Sequence, residues 1–467
     1  MTQVKTQVKT QVKGKNDGGC DFESGKPFRS RDEFAVRASS SLRSGVCPKH
    51  PAVTHDGGAA ALADSFLPHD ANRMKLLFDL NSLRPPRSGV GYYTQHLLEG
   101  LIQDREVAGL AGWVGTECFE GERLRALMEQ RVPLRKGVQF TDGIAAKVLQ
   151  KARSMPGLYR GRTIVRAIKS RDVRADFARR GYIYHETNFV ASRYRGPTVV
   201  TIHDLSHRRH PEFHPRVAVE YLDRELPKTL RQAQVVIADS HYTKNDIVEI
   251  YGVPESKVVT IHLGVEPAFQ PYSAESCAGA LADLGVKRGG FVLSVCTLQP
   301  RKNLQRLVEA FACLPADMRQ AYPLVLVGAD GWQNSALLRV IEPLAQAGQV
   351  LTPGYVPRAD LLKLYASAAL FAYPSLFEGF GLPVAEAMAS GVAVLTANLT
   401  SLPEVSAGAA WEVDPYSIDD IAAGMQRLLG DPALREELAV KGLRRAAELT
   451  WDATVAQTCA VYRGLSA

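Results

Sequence analysis

The chain has 467 residues, of which 46% are hydrophobic and 22% charged, and its net charge is +7. This balance argues against a disordered or fibrous protein, and at roughly 150 residues per domain the length predicts two or three domains, of which we favour two. The sequence lacks a secretory signal, an apolar run of about 18 residues and a CxxC pair, so we expect a cytoplasmic protein with reduced cysteines rather than a membrane-spanning or secreted one.

The first 73 residues open with the sequence TQVK written three times in succession and continue without hydrophobic periodicity. Such polar, repetitive sequence cannot bury a core, so we predict a disordered leader over residues 1–73. Met74 directly precedes the first strand-like run, KLLFDL. This position suggests Met74 as the natural start, which mass spectrometry of the native N-terminus would test.

After Met74, short apolar runs alternate with helical patterns, which predicts βα units on parallel sheets. The predicted strands span residues 75–80, 198–204, 234–240, 257–263, 290–296, 323–329, 370–375 and 392–398. Proline and glycine interrupt the pattern between residues 266 and 290, and we place a domain boundary there. The sequence therefore predicts an α/β protein with two doubly wound, Rossmann-like domains, residues 74–275 and 285–450, that face a cleft.

Residues 131–180 concentrate positive charge, with fourteen Lys or Arg against three Asp. Apolar residues are interleaved with these charges, a pattern suited to an anionic membrane surface, where each basic side chain contributes on the order of 1 kcal/mol. A nucleic-acid partner and a solvated helix face are the alternatives. We favour peripheral contact with an anionic membrane and expect no nucleic-acid partner.

Two glycines, Gly89 and Gly91, follow the first predicted strand and lead into a helix. Glycine there lets backbone N–H groups approach an anion at the positive end of the helix dipole. A dinucleotide-binding GxGxxG fingerprint would need a third glycine where Thr94 stands, so a nicotinamide site fits poorly. A tight turn without a ligand is the alternative.

Four histidines lie within twelve residues at the end of the second predicted strand: His203, His207, His210 and His214. The His203/His207 spacing could place two metal ligands on one helix face, but His203 sits at a strand end and no carboxylate partner follows. We therefore expect no metal here. We expect instead that His203 forms a hydrogen bond to a sugar hydroxyl or interacts with charge that develops at a reacting carbon.

Arg301, Lys302 and Asn303 stand between a predicted strand end and an amphipathic helix. Arginine offers a fork that matches phosphate oxygens and lysine a compact charge, so a diphosphate above this helix start is the expected ligand. Solvated loop charges are the alternative.

The stretch SLFEGFGLPVAEAMASG, residues 375–391, combines two acids with a glycine-rich loop. Pro383 suits the first turn of a helix, so the amides of the loop before it are predicted to point at whatever lies above that helix N-terminus. Glu378 precedes the loop and Glu386 lies about one turn into the helix. Each carboxylate could accept paired hydroxyl hydrogen bonds, which a ribose and a hexose both offer.

Several of these motifs together resemble the retaining glycosyltransferases of family 4, which have the GT-B fold. The resemblance rests on the E-x7-E spacing of Glu378 and Glu386, and on VVTIHDLSH, VVIADSHYTKNDI, TLQPRKN and TPGYVPRADLLKLYASA. It covers nearly all of the chain from Met74 to the end. The chain looks most like the bacterial mannosyl- and rhamnosyltransferases of O-antigen and exopolysaccharide assembly, many of which use GDP-sugars.

The resemblance implies a role for each matching residue. At the reacting end, Glu378 would hold donor sugar hydroxyls, His203 would contact the sugar near C6, and Arg301 and Lys302 would bind the diphosphate. The donor-binding residues that it implies are Glu386 at the nucleotide ribose, together with Gly379, Phe380, Gly381, Leu382, Gly89 and Gly91. Many family members have an arginine where this chain has Thr297. We assign the role of that arginine to Arg301.

The implied reaction moves a hexose, with mannose or rhamnose favoured, from a nucleotide-diphosphate sugar, with GDP favoured, to a lipid-linked or growing polysaccharide acceptor. The resemblance further implies retention of configuration and no metal or other cofactor. It also implies a C-terminal helix (451–467) that crosses back to brace the N-terminal domain. The absence of a D-x-D pair agrees with metal independence. The alternatives are a non-catalytic GT-B-like protein that binds sugar nucleotides or a membrane surface, a nucleotide-sugar epimerase and, least favoured, a dehydrogenase.

Overall fold

The computed structural model describes residues 73–84, 88–115, 117–129, 171–328 and 335–466. These residues lie within one compact unit, Pro68–Ala467. Nearly all of the predicted leader, and residues 131–170 of the predicted membrane-binding segment, fall outside the described residues. Within them, no helix is long and apolar enough to cross a membrane.

The first lobe is built on strands β1 Met74–Asp79, β2 Val107–Val114, β3 Glu117–Glu120, β4 Ile183–Glu186, β5 Thr198–Ile202, β6 Val235–Ala238 and β7 Val258–Thr260. In the described residues they form a sheet in the order β3-β2-β1-β4-β5-β6-β7. Neighbouring strands are parallel except for the antiparallel pair β2 and β3. The strand order reverses between β1 and β4, which makes the carboxyl ends of these strands a favoured ligand position.

The second lobe is built on strands β8 Val292–Val295, β9 Leu324–Val327, β10 Val350–Gly354, β11 Leu370–Tyr373, β12 Val394–Ala397 and β13 Trp411–Val413. The described strands are all parallel, in the order β10-β9-β8-β11-β12-β13. Alternate β9 side chains enter different hydrophobic clusters, Leu324 and Leu326 one and Val325 and Val327 the other. Both faces of this sheet are therefore covered, as parallel sheets require.

The described helices are α1 Gly89–Gln103, α2 Gly121–Met128, α3 Arg171–Arg179, α4 Ser206–Arg209, α5 Arg216–Gln232, α6 His241–Tyr251, α7 Ala274–Leu284, α8 Leu304–Ala312, α9 Ala316–Ala321, α10 Ser335–Gln346, α11 Arg358–Tyr365, α12 Leu382–Ala389, α13 Leu402–Ser406, α14 Ile418–Gly430, α15 Pro432–Ala446 and α16 Trp451–Ser466. Their ends follow local chemistry. The Ser240 hydroxyl caps α6 by accepting a hydrogen bond from the Thr243 N–H, and Gly252, at φ 64°, ends it in the left-handed region.

The predicted fold class, two Rossmann-like lobes of the GT-B type, is confirmed. The eight predicted strands all exist, with ends shifted by a few residues, but β2, β3, β4, β10 and β13 were missed. Their sequences lack the usual signal, since β2 (VAGLAGWV) is rich in glycine and alanine and β10 (VLTPG) contains proline. The domain limits 74–275 and 285–450 stay a prediction, because both lobes belong to one compact unit.

The C-terminal helix α16 returns to the first lobe, as predicted. It packs against α1 and β1. The Tyr462 hydroxyl lies 2.6 Å from Nδ1 of His185 on β4, and Arg463 pairs with Glu106 at 2.7 Å. At the start of this return, a Cβ built on Gly264 would lie 2.2 Å from the Trp451 nitrogen, so only glycine fits.

Candidate active site

Strand ends from both sheets converge where the two lobes meet. In the second lobe, β8 leads to Arg301 and Lys302 and β11 leads to Glu378; in the first lobe, β5 leads directly to His203. The lobes are in close contact here, because a Cβ built on Gly379 would lie 1.8 Å from the His203 carbonyl oxygen. The structure therefore brings these five predicted residues together.

Glu378 is the centre of a buried ion cluster. Its Oε1 accepts hydrogen bonds from Lys302 Nζ at 2.6 Å, Ser375 Oγ at 2.7 Å and Tyr373 OH at 2.9 Å. Its Oε2 lies 3.4 Å from Nη1 of Arg301, and the residue is only 6% exposed. Burial opposes the negative charge, but the two cations outweigh burial and hold the pKa of Glu378 below its ordinary value. Glu378 is therefore an ionised carboxylate paired with two cations.

Arg301 extends this cluster to the first lobe. Its Nη1 donates to the Phe377 carbonyl at 3.0 Å and lies 3.9 Å from Oδ2 of Asp204. Burial opposes the charge of Asp204, but Arg301 and hydrogen bonds from Ser206 outweigh it and lower the pKa of Asp204. Sequence reasoning missed Asp204. Its position directly after a strand, beside His203, was the signal that could have found it.

The glycine loop, Gly379–Leu382, leads into α12. Gly381 has a φ of 105°, in the region that favours glycine. The N–H groups of Gly379, Phe380 and Gly381 find no acceptor in the described part of the chain, although all three residues are buried. Buried amides without a partner are rare in folded proteins, and at a helix N-terminus such groups bind anions. The loop is thus chemically suited to an anionic ligand.

Both ring nitrogens of His203 have partners within the first lobe. Nδ1 lies 2.7 Å from Oδ2 of Asp239, and Nε2 lies 2.8 Å from the Thr187 carbonyl. Burial opposes a charge on the ring, but the Asp239 carboxylate outweighs it and raises the pKa of His203. The predicted contact between His203 and a sugar stays a prediction, and through Nε2 it would replace the bond to Thr187.

Glu386 lies apart from the ion cluster, on α12, and accepts a hydrogen bond from the Tyr365 hydroxyl at 3.1 Å. Burial raises the pKa of Glu386 to about 7, while Tyr365 and Arg358 act in the opposite direction. Ionisation of a carboxylate that is buried and has no ion-pair partner among the described residues lowers the stability of the fold. Such perturbed groups are typical of functional sites. Its role at a ribose stays a prediction.

Gly89 and Gly91, predicted to lie in a loop before a helix, are instead the first and third residues of α1. Among the described residues, no hydrogen bond joins them to the Glu378 cluster. The same helix reaches the site through Tyr93, whose ring centroid lies 5.2 Å from that of His203. Their predicted role in shaping the pocket under a diphosphate stays a prediction.

Sequence reasoning also missed the hydroxyl groups that hold the two glutamates. Tyr373 and Ser375 bond Glu378, and Tyr365 bonds Glu386. Nothing in the sequence separates Tyr365 and Tyr373 from ordinary core aromatics, because their partners are set by the packing of strands and helices.

A cluster of two histidines and one glutamate also connects the two lobes. The ligand atoms of His241, His262 and Glu404 lie within 4.8 Å of one another, as in a metal site. Glu404 Oε1 already accepts hydrogen bonds from His262 Nε2 at 2.6 Å and from the His241 N–H at 2.9 Å. His203 and His207, where we expect no metal, have separate partners: His203 Nδ1 lies 2.7 Å from Oδ2 of Asp239, and His207 Nε2 lies 3.2 Å from the Tyr251 hydroxyl.

Two family descriptions match the two lobes. Residues 283–445 match "Glycosyl transferases group 1", and residues 87–269 match "Glycosyltransferase Family 4". The second match covers α1 to β7, and the first contains Arg301, Lys302, Glu378 and Glu386. The matches therefore contain every predicted site residue.

Similarities to individual proteins agree with these matches. The O-antigen chain mannosyltransferase B of Escherichia coli is 31% identical over 390 residues, 84% of this chain and all of that protein. The serotype-specific mannosyltransferase WbdA of Escherichia coli is 35% identical over 230 residues, which are 48% of this chain and 28% of that protein. WaaG, a glycosyltransferase involved in lipopolysaccharide biosynthesis, shares the fold with a TM-score of 0.61 at 16% identity, over 83% of this chain and 100% of that one. The chain therefore belongs to the GT-B glycosyltransferase family that includes the O-antigen chain mannosyltransferase B.

Proposed function

We propose that this glycosyltransferase moves a hexose from a nucleotide-diphosphate sugar to an acceptor hydroxyl with retention of the anomeric configuration. Mannose or rhamnose is the favoured sugar and GDP the favoured nucleotide. A lipid-linked or growing surface-polysaccharide chain is the favoured acceptor. The mannosyltransferase names of its relatives support the sugar, and the O-antigen function of one of them supports the acceptor.

The observation that carries the proposal is the set of unpaired glycine-loop amides beside Arg301 and Lys302. A diphosphate presents several acceptor oxygens and negative charge, so it would satisfy the amides of Gly379, Phe380 and Gly381 and attract both cations. Glu386 on α12, the helix that follows the loop, would then accept hydrogen bonds from the ribose hydroxyls.

The chemistry requires stabilisation of a leaving diphosphate. The bond between the anomeric carbon and the diphosphate oxygen breaks, the acceptor oxygen bonds to that carbon, and the acceptor proton passes to a leaving phosphate oxygen. Arg301 and Lys302, now paired with Glu378, would share their charge with the departing oxygens. Because these cations and the loop amides can offset the developing charge, we expect no metal requirement. Full activity in EDTA would support this expectation.

The first test is a thermal-shift titration of the whole chain with GDP, UDP and dTDP. A ligand that binds only the folded state raises the free energy of unfolding by about 2.7 kcal/mol at 100 times its Kd. We expect a shift with GDP that Glu386→Ala abolishes. The absence of a shift with all three nucleotides would contradict the proposal and favour a non-catalytic protein.

Product analysis tests the reaction itself. Incubation with GDP-mannose and a mannose-terminated lipid acceptor should give GDP and an α-linked product, assigned by NMR. Conversion of the donor without an acceptor would instead indicate an epimerase. Flotation with neutral and anionic liposomes tests the peripheral membrane contact proposed for residues 131–180: equal recovery with both would refute it.

A further inference from the structure

The N-terminus of α6 in the first lobe contacts the glycine loop of the second lobe through a fully buried serine. Ser240 Oγ donates to the Gly379 carbonyl at 2.6 Å, and Thr243 Oγ1 donates to the same carbonyl at 3.2 Å. Both side chains are at most 1% exposed. One loop carbonyl therefore receives two hydroxyl donors from the opposite lobe, which is more than an accidental surface contact supplies.

A reciprocal contact runs in the other direction. Glu404 on α13 of the second lobe accepts the backbone N–H of His241 at 2.9 Å and of Tyr242 at 3.3 Å. These amides are orphan donors of the first turn of α6, which helices normally satisfy from within their own lobe. These two N–H groups at the N-terminus of α6 therefore have their protein hydrogen-bond acceptor only while the lobes are in contact.

The orientation of the Gly379 carbonyl also sets the direction of a loop amide. In a planar trans peptide the C=O of Gly379 and the N–H of Phe380 point in opposite directions. Holding the carbonyl towards Ser240 therefore directs the Phe380 N–H away from the first lobe. That N–H is one of the unpaired amides of the glycine loop.

We propose that Ser240 is a positioning residue, which holds the Gly379 carbonyl across the cleft and so fixes the glycine loop for a diphosphate. The loop part of this inference stands on the contacts alone, whereas its effect on a diphosphate rests on the proposed function. Ser240 does not touch the donor in this scheme. It acts through the loop, and only while the cleft is closed.

The test compares Ser240→Ala with Ser273→Ala. The Ser273 hydroxyl caps α7 by accepting a hydrogen bond from the Ser276 N–H at 3.2 Å, but Ser273 is exposed and has no hydrogen bond to the other lobe within the described residues. Both variants lose an N-cap, so both should lower Tm, and only Ser240→Ala should affect the loop. Thr243→Val is a second variant, isosteric and with the serine cap intact, in case Ser240→Ala folds poorly.

Hydrogen exchange of the ligand-free proteins is the first measurement. Ser240→Ala and Thr243→Val should speed exchange in peptides that span 376–390 and the first turn of α6, and Ser273→Ala should not. Equal exchange in wild type and both cleft variants would overturn the inference whether or not any nucleotide binds.

Nucleotide binding and steady-state kinetics follow. We expect Ser240→Ala to weaken GDP binding and lower kcat by about 3- to 10-fold each, the range for one lost hydrogen bond, with the acceptor KM unchanged. Loop exchange that speeds up while GDP affinity and kcat stay at wild-type values would refute the positioning role. If wild type binds none of the three nucleotides although exchange responds as expected, the proposed function fails and the loop contact stands.

Discussion

Glu386 offers a sharp test, because its burial makes a measurable prediction about stability. Its ordinary pKa of 4.5 is raised to about 7 in the folded protein. The folded state then binds the proton more tightly than the unfolded chain, so the free energy of unfolding falls as pH rises from about 4.5 to about 7. Glu386→Gln removes the titration and should therefore stabilise the protein at high pH.

The size of the effect follows from the shift. At about 1.36 kcal/mol per pKa unit, the variant should gain about 1.5 kcal/mol at pH 5.5 and about 3 kcal/mol at pH 8.5. For a unit the size of Pro68–Ala467, an unfolding entropy of about 2.1 cal/mol/K per residue converts the larger gain into about 4 °C of Tm. Differential scanning calorimetry of both proteins across this pH range measures it.

A matched control is Glu436→Gln, an exposed position on α15, where a surface substitution should change stability by less than about 0.5 kcal/mol at any pH. The same Tm gain for Glu386→Gln at pH 5.5 and 8.5, or no gain at all, would refute the claim that burial destabilises this carboxylate. In either case GDP binding by Glu386→Gln reports separately on the ribose contact, because stability and ligand affinity are measured on the same protein.

The remaining predictions concern the neighbours of the two glutamates. Lys302→Ala should lower kcat by about 100- to 1,000-fold in steady-state assays, since it removes charge stabilisation at the leaving group; near-normal kcat would mean that Lys302 serves only to hold Glu378. Tyr365→Phe removes the hydroxyl that donates to Glu386, so it should raise the pH below which GDP binding weakens, and an unchanged pH midpoint would argue against that coupling. Gly379→Ala places a Cβ 1.8 Å from the His203 carbonyl oxygen of the first lobe. It should therefore hold the lobes apart and increase the radius of gyration in small-angle scattering. An unchanged radius would show that the contact is easily relieved.

Much of the architecture was predictable because its signals are local. Apolar runs predicted β5, β8, β9 and β11, whose side chains are buried on both faces of a sheet except for the half-buried Val295 of β8. The missed strands β4 and β10 show the limit of this reasoning: β4 (IYHE) has polar residues that are buried by contacts with distant parts of the chain, as in the bond between His185 and Tyr462. Their burial could not be seen in the local pattern.

The site divides in the same way. The sequence by itself determined which residues stand at strand ends and helix starts, and so predicted that Arg301, Lys302, Glu378 and Glu386 line one cleft. Only the tertiary structure decided that both cations pair with Glu378, that burial raises the pKa of Glu386, and that Ser240 bonds a carbonyl 139 residues away in the other lobe. The physical reason is that hydrogen bonds and desolvation act over a few ångströms in space, and the distances that fix them are set by how two separate sheets pack together.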